Sequence, residues 1–261
     1  MKTARYLFIV GAGRSGTSLL QAIISAHSSV VSKQEDQFLR NNLFDNKFRN
    51  YQKIFDSADN FLATKITEFR KKFDAHNHES YTLLEKDPRL IEHADRIFDN
   101  FDDTLVIEIY RHPVMVLRSR RVAEWSKGRS IIIDVLTTYL HQSLGLYWST
   151  ALGKRYIRIN YEDLLINFEE TINPIMQRIG YSVTDEQRNY YCKSSWLIKN
   201  GERSWKKNIE NPLLVEKANI DDKQFTRMEK LILAILYRAQ NQKLSPRFFF
   251  IVAKLWLIIR K

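Results

Sequence analysis

A glycine-rich turn close to the start of the chain has the composition of an anion-binding loop. Residues 11–18 read GAGRSGTS and follow a short apolar run, Tyr6–Val10. Beyond them, apolar residues recur at helical spacing as far as Ile24. A strand, a glycine turn and a helix in this order direct backbone N–H groups and a helix N-terminus towards a phosphate or sulfate group. The sequence therefore predicts an anion site at this turn.

The side chains of the turn strengthen this prediction. Arg14 offers a planar fork of N–H donors, and Gly13 and Gly16 let the backbone turn sharply and approach a ligand closely. Three further residues add hydroxyl donors: Ser15, Thr17 and Ser18. The alternative is a tight strand-to-helix turn that binds no ligand.

Two nucleotide-binding patterns come close to this turn without matching it. The spacing is that of a P-loop, but Thr17 occupies the position of the lysine that contacts the β- and γ-phosphates of ATP. The dinucleotide pattern would need an acidic ribose ligand after a second strand, and none is evident. The turn therefore suits an anion other than an ordinary triphosphate. A P-loop-type nucleotide kinase remains the alternative function.

A second stretch repeats the order of strand, turn and helix. Residues 105–110 are an apolar run that we expect to be a buried strand, and Arg111 follows it with a guanidinium fork. Pro113 suits the first turn of a new helix, and Ser119 lies about two turns into that helix. Together with the glycine turn, this stretch resembles the sulfotransferases that use 3′-phosphoadenosine-5′-phosphosulfate (PAPS) as donor.

The resemblance implies how the donor would be held. The glycine turn would cradle the 5′-phosphosulfate of PAPS, and Arg111 and Ser119 would hold its 3′-phosphate. A late loop, residues 201–207, would close over the 3′-phosphate, with charge from Arg203, Lys206 and Lys207 and with Trp205 stacking on a base or packing the loop. The alternative is a solvated basic loop. The nucleotide product would be 3′,5′-adenosine bisphosphate (PAP), and the scheme requires no metal ion.

The resemblance also implies which residues carry the chemistry. An acceptor hydroxyl must lose a proton as it attacks sulfur, and a nearby carboxylate can take that proton. Glu35 occupies the place of the catalytic base in carbohydrate and tyrosylprotein sulfotransferases and their bacterial relatives. Lys86 and Arg14 would stabilise the charge of the transferring and leaving groups. Three alternatives for the base remain open: His27, Asp36 and Asp87.

We expect an α/β fold, with a P-loop-like central parallel sheet flanked by helices on both faces. Further strand candidates are short apolar runs at residues 27–31, 81–84 and 155–160. Periodicity predicts helices at residues 45–78, from 114 towards 125, at 131–152, from 161 to about 180, and at 225–239. The sequence thus predicts one sulfotransferase domain, residues 1–245, and a C-terminal tail.

Composition narrows the function classes. The 261 residues, 44% of them hydrophobic, are enough for one sizeable core. The formal net charge is +11, so we expect anionic partners, of which PAPS is one. The sequence has no recognisable nucleic-acid-binding module. The single cysteine, Cys192, excludes an intrachain disulfide, and we expect a cytoplasmic chain without a signal peptide.

Residues 246–261 form an apolar and basic tail. Three cations recur at every seventh position: Arg247, Lys254 and Lys261. Such a stripe suits a helix that lies in a membrane interface, and the alternative is a helix docked on the protein or on a second subunit. A catalytically inactive, membrane-associated anion-binding protein is therefore an alternative to an enzyme.

Acceptor pockets are built from variable loops, so no motif identifies the acceptor. We expect transfer to a hydroxyl or amine of a glycan, a glycolipid or another small metabolite. The basic composition favours an anionic acceptor.

Overall fold

A sheet of five parallel strands is the centre of the computed structural model of the chain, which describes residues 5–41, 64, 67–69, 71–72, 81–123, 131–214, 227 and 230. The strands are β1 Tyr6–Val10, β2 Val30–Ser32, β3 Thr82–Lys86, β4 Thr104–Tyr110 and β5 Tyr156–Asn160. Across the sheet they follow the order β2-β3-β1-β4-β5, and every pair is parallel. The expected parallel α/β sheet is therefore confirmed.

Helices follow the strands along the described part of the chain. The α-helices are α1 Thr17–Ser25, α2 Ala94–Asn100, α3 Pro113–Arg121, α4 Ile131–Ala151, α5 Tyr161–Ile166, α6 Phe168–Arg178, α7 Asp185–Arg188 and α8 Arg203–Lys206. Short 3₁₀ helices lie at Pro88–His93, Gly153–Arg155, Tyr190–Cys192, Ser195–Leu197 and Lys207–Glu210.

Alternate residues of β1 point to opposite faces of the sheet and so build two cores. Leu7 and Ile9 pack in one core with Leu20 of α1, whereas Phe8 packs in the other with Leu144 of α4. All five side chains are at most 1% exposed. Each such burial contributes about 1.5–3 kcal/mol to folding. Burial on both faces explains why the strands read as continuous apolar runs.

The register of the sheet gathers its carboxyl ends at one edge. Ile9 of β1 lies beside Lys86, the last residue of β3, and beside Ile107 of β4. Tyr110, the last residue of β4, lies beside Asn160, the last residue of β5. The segments that follow these strands therefore meet at one edge, where α/β sheets usually bind ligands.

Two predicted helices have different ends in the structure. The helix expected from residue 161 to about 180 is two helices, because Asn167 has a non-helical backbone, with φ −122° and ψ 61°. The helix expected to run towards Trp125 ends at Arg121, where the Ala123 N–H donates to the Arg120 carbonyl in a tight final turn.

Other predictions lie mostly or wholly outside the described residues. They are the helices over residues 45–78 and 225–239 and the tail, residues 246–261. Within the described residues, the structure contains no helix with the length and apolarity needed to cross a membrane.

Candidate functional site

A cleft of about 610 Å³ opens at the carboxyl edge of the sheet. Its walls come from the glycine turn, the ends of β3 and β4, helices α3 and α4, and the segment around α8. Residues singled out from the sequence line both the donor and the catalytic parts of this cleft: Gly13, Arg14, Gly16, Thr17, Ser18, Glu35, Lys86, Asp87, Arg111 and Ser119. The topology therefore brings together residues that lie far apart in the sequence.

The glycine turn leads directly into α1. Gly16 has a left-handed φ of 109°, and among the described residues no side chain caps the start of α1. A Cβ at Gly16 would lie 2.4 Å from the Tyr161 ring, so the site has no room for a side chain. The uncapped N–H groups at the start of α1 suit an anion.

Ser15 differs from its neighbours in the turn. It is fully buried, and it does not line the cleft. Its Oγ has no hydrogen-bond partner among the described residues. Arg14, by contrast, lines the cleft and has a positive φ of 78°, a strained conformation for arginine. The turn therefore presents Arg14, Thr17 and Ser18 to the cleft and keeps Ser15 beneath them.

Tyr161 positions the arginine at the end of β4. The Arg111 guanidinium carbon lies 4.1 Å from the centroid of the Tyr161 ring, and the Arg111 Nε lies 3.7 Å from the Glu162 Oε1. This Nε is buried and makes no hydrogen bond to any described residue. A buried N–H donor of this kind at a cleft wall suits a phosphate oxygen. The Tyr161 ring thus contacts both the glycine turn and Arg111.

Helix α3 holds the glycine turn through two consecutive side chains. The Arg14 Nε donates to the Ser119 Oγ at 3.1 Å. The Arg120 Nε donates to the Gly13 carbonyl at 3.2 Å, while its Nη1 contacts the Asp134 carboxylate at 3.2 Å. Arg120 is buried, and the sequence analysis did not assign it a place in the site. It links the turn, α3 and α4.

Glu35 forms an ion pair with Lys86 inside the cleft. Lys199 also donates to the backbone carbonyl of Glu35. Burial alone would raise the pKa of Glu35, but Lys86, and then Lys206 and Lys199, lower it below its ordinary value. Glu35 is therefore a carboxylate at neutral pH, held between cations.

The three alternative bases have different surroundings. Asp36 pairs with Lys33 at 2.8 Å and with Lys72 at 2.9 Å, and it does not line the cleft. His27 stacks on Tyr181, with ring centroids 4.7 Å apart, and also lies outside the cleft lining.

Asp87 lines the cleft, but both of its carboxylate oxygens bind neighbouring groups of the protein. It pairs with Arg40 at 3.0 Å, and its other oxygen accepts from the Arg89 N–H at the start of a 3₁₀ helix. Burial raises the pKa of Asp87, and Glu35 adds to this effect while Arg40 opposes it. Of the four candidates, Glu35 and Asp87 thus contact the cleft.

Sequence reasoning missed a hydrogen-bonded pair that spans two helices. The His141 Nε2 lies 2.9 Å from the Glu92 Oε1, and Arg89 donates twice to the same carboxylate, at 3.0 Å each. His141 and Arg89 line the cleft. Burial opposes ionisation of Glu92, but His141 and Arg89 hold its pKa well below the ordinary value. A signal existed, since the apolar α4 carries a polar run, His141–Gln142–Ser143, that is buried.

Of the three cations expected in the late loop, Lys206 alone lines the cleft. Arg203 is largely exposed, pairs with Glu210 at 3.1 Å and does not line the cleft. Trp205 lies in α8, and its side chain is outside the described part of the chain. Lys206 lines the cleft instead and pairs with Glu202 at 2.7 Å.

Comparisons with known proteins agree with this arrangement. A profile described as the sulfotransferase family matches residues 7–185. A curated relative, protein-tyrosine sulfotransferase 2 of Gallus gallus, is 24% identical over 193 residues. The match covers 69% of this chain and 52% of the relative, so the chain spans about half the length of that relative.

Solved structures share the fold at low sequence identity. The sulfotransferase domain of the Synechococcus PCC 7002 olefin synthase has a TM-score of 0.63 at 18% identity, over 91% of this chain and 96% of that one. The sulfotransferase domain of the curacin biosynthetic pathway gives 0.61 at 16%, over 91% and 99%. A mouse sulfotransferase complexed with PAP gives 0.54 at 13%, over 94% and 87%. These structures confirm the expected P-loop-like α/β fold.

The family profile spans more than half of the sequence, and its match includes the glycine turn, Glu35, Lys86, Arg111 and Ser119. With the sheet, the cleft and the structural neighbours in agreement, the chain belongs to the sulfotransferase family.

Proposed function

We propose that this sulfotransferase moves a sulfuryl group from PAPS to a hydroxyl or amine of an acceptor. One observation carries the proposal: a single cleft contains the glycine turn, the Arg111–Ser119 pair and the Glu35–Lys86 ion pair. The family relationship supports sulfuryl transfer in general. The donor PAPS is supported by the two arginines Arg14 and Arg111 in the cleft lining and by PAP in the mouse neighbour.

The donor roles follow from the surroundings of each residue. The N–H groups at the start of α1, with Thr17 and Ser18, would bind the 5′-phosphosulfate. Arg111 would bind the 3′-phosphate through donors that include its buried, unpartnered Nε. The Ser119 Oγ accepts from Arg14, so its own hydrogen stays available to a phosphate oxygen.

The chemical step needs one proton acceptor and several cations. The acceptor oxygen forms a bond to sulfur as the bond from sulfur to the phosphate oxygen breaks, and PAP leaves with the bonding electrons. Glu35 would take the proton of the hydroxyl. Lys86 and Arg14 would stabilise the negative charge that grows on the leaving oxygen. Because the cations around Glu35 lower its pKa, it would take the proton late, as the oxygen–sulfur bond forms.

Transfer of label tests the proposal. The full chain is incubated with PAPS radiolabelled at sulfur and with a set of phenols, aliphatic alcohols and sugars. We expect label in an acceptor ester and an equal amount of PAP. Magnesium-dependent phosphoryl transfer from ATP would instead support the kinase. Tight binding of PAP without transfer to any acceptor would favour an inactive anion-binding protein.

A further inference from the structure

The cleft has two halves that differ in how their charges are arranged. The donor half consists of the lining residues of the glycine turn and its neighbours: Gly13, Arg14, Gly16, Thr17, Ser18, Arg111, Ser119 and Arg120. The acceptor half consists of the other polar lining residues, and its cations are Arg40, Lys86, Arg89 and Lys206. Since the donor half would be filled by PAPS, the acceptor half determines which second substrate can enter.

Each cation of the acceptor half has its own carboxylate partner. Arg40 pairs with Asp87 at 3.0 Å, and Lys86 pairs with Glu35. A second set of pairs completes the acceptor half: Arg89 with Glu92 at 3.0 Å and Lys206 with Glu202 at 2.7 Å. Four positive charges thus meet four negative charges. Glu92 pairs with Arg89 without lining the cleft, and when it is counted the acceptor half is neutral, although the chain carries a net charge of +11.

This pairing disfavours an anionic group on the acceptor. A carboxylate or phosphate entering the acceptor half would lose its hydration, and it would gain a cation only by displacing an existing carboxylate. Three of the four cations are no more than 10% exposed in their side chains, so the pairs are not readily opened by solvent. The polyanionic donor beside it would repel an anion further.

His141 adds a group that suits a hydroxyl. Its Nε2 contacts the ionised Glu92 carboxylate at 2.9 Å, so in the neutral ring Nε2 carries the hydrogen and Nδ1 carries a lone pair. The Nδ1 is buried, and no described residue hydrogen-bonds to it. A hydroxyl that reached this atom would donate to it, whereas an anionic oxygen would meet it lone pair to lone pair.

We propose that the acceptor half selects an uncharged alcohol or phenol and rejects acceptors with an anionic group near the accepting hydroxyl. This inference rests on the proposed sulfuryl transfer from PAPS. It also reverses the expectation from composition, because the excess of basic residues belongs to the whole chain and not to the acceptor half of the cleft.

Two matched phenols test the selection. The neutral probe is 4-hydroxyphenylacetamide, and the anionic probe is 4-hydroxyphenylacetate, which has the same ring and the same single accepting hydroxyl. With the full chain and PAPS, we expect kcat/KM for the neutral probe to be at least about tenfold higher. A preference for the anionic probe would overturn the proposal.

Two variants test whether the ion pairs of the acceptor half cause this selectivity. Glu202→Gln leaves Lys206 without its carboxylate partner inside the cleft, so it should reduce the selectivity between the two phenols about fivefold. Glu169→Gln removes one of the two carboxylate partners of the exposed Arg188, outside the cleft lining, and should leave the selectivity unchanged. Equal selectivity in the wild type and in Glu202→Gln would show that internal pairing does not exclude anions.

A binding measurement decides the matter if neither phenol is turned over. Wild-type protein saturated with PAP is titrated calorimetrically with inorganic phosphate. We expect no second anion site, and we expect one to appear in Glu202→Gln. Phosphate binding to the PAP-loaded wild type would overturn the inference. Failure to bind PAP at all would instead overturn the proposed function, so the two failures are distinguishable.

Discussion

The two halves of the cleft are built in different ways. The donor half begins with consecutive residues of one turn, whose backbone leads from β1 into α1. The acceptor half is built from side-chain pairs, and three of them join residues far apart in sequence: Lys86 with Glu35, Arg40 with Asp87 and His141 with Glu92. A backbone turn has a short signature in the sequence. A network of paired side chains depends on the fold and has none.

A glycine substitution should have the largest effect, and it acts on the donor half. Gly16→Ala must strain a φ of 109° and place a Cβ 2.4 Å from the Tyr161 ring, which positions Arg111. We expect affinity for PAP to fall about 1,000-fold. The control is Gly153→Ala, which strains a φ of +53° but meets nothing within 4 Å and lies outside the cleft lining. Calorimetry should show near-normal PAP binding for the control. An equal loss of PAP affinity in both variants would show that the contact with the Tyr161 ring is not the cause.

Removal of the proposed base should lower turnover, which depends on the acceptor half, and should leave PAP binding by the donor half unchanged. Glu35→Gln keeps the shape of the side chain but accepts no proton, so we expect kcat to fall about 100-fold or more. PAP affinity should remain within a factor of about two. Asp36→Asn is the control, since Asp36 pairs with Lys33 and Lys72 outside the cleft lining. Steady-state kinetics that show normal turnover for Glu35→Gln would direct attention to Asp87.

The Lys86–Glu35 ion pair predicts a shift in the pH profile. Lys86 lowers the pKa of Glu35 against the opposing effect of burial. In Lys86→Met only Lys206 and Lys199 still oppose the effect of burial, so the pKa of Glu35 rises and the acid limb of kcat moves to higher pH. We also expect kcat at its optimum to fall about tenfold, because a cation near the leaving group is lost. An unchanged acid limb would mean that another group sets it.

Glu108 can be compared with the paired carboxylates of the acceptor half, because it also pairs with a cation but does not line the cleft. It is buried in β4, bonds to Arg158 at 2.8 Å, and lies where a Cβ on Gly145 would sit. Burial raises its pKa from 4.5 to about 7, although Arg158 opposes this, and burial likewise raises the pKa of Glu85 to about 7.

The stability consequence of Glu108 has a definite sign. Its pKa in the folded state lies above the unfolded value of 4.5. The contribution of Glu108 to the free energy of unfolding is therefore complete below pH 4.5 and is lost as the pH rises towards 7. Glu108→Gln should therefore remove about half of the decline in unfolding free energy that Glu108 and Glu85 cause together in this window. Denaturant unfolding at several pH values measures it. An unchanged slope would contradict the assignment.

The sequence predicted the fold best where short local patterns determine the secondary structure. The strands β1 and β4, the helix starts at Thr17 and Pro113, and the sheet type follow from apolar runs, glycine and proline. The division of the predicted helix at Asn167 depends on one backbone conformation, which periodicity does not reveal.

Within the site, the sequence predicted more of the donor half than of the acceptor half. Arg14, Arg111 and Ser119 line the cleft. The composition of the glycine turn had indicated Arg14, and the resemblance to PAPS-dependent sulfotransferases had indicated Arg111 and Ser119. Arg120 and His141 were missed because their partners, Asp134 and Glu92, become neighbours only when α4 crosses the edge of the sheet. Arg203 was a reasonable candidate by charge, but the turn of α8 presents Lys206 to the cleft.

Calorimetric titration with PAP tests the central claim most directly, namely that the cleft holds a bisphosphorylated adenosine between the glycine turn and Arg111. We expect one site per chain in the wild type and a dissociation constant about 10- to 100-fold weaker in Arg111→Ala, since a charge-assisted contact to phosphate is removed. Absence of binding in the wild type, or equal affinity in Arg111→Ala, would contradict the claim.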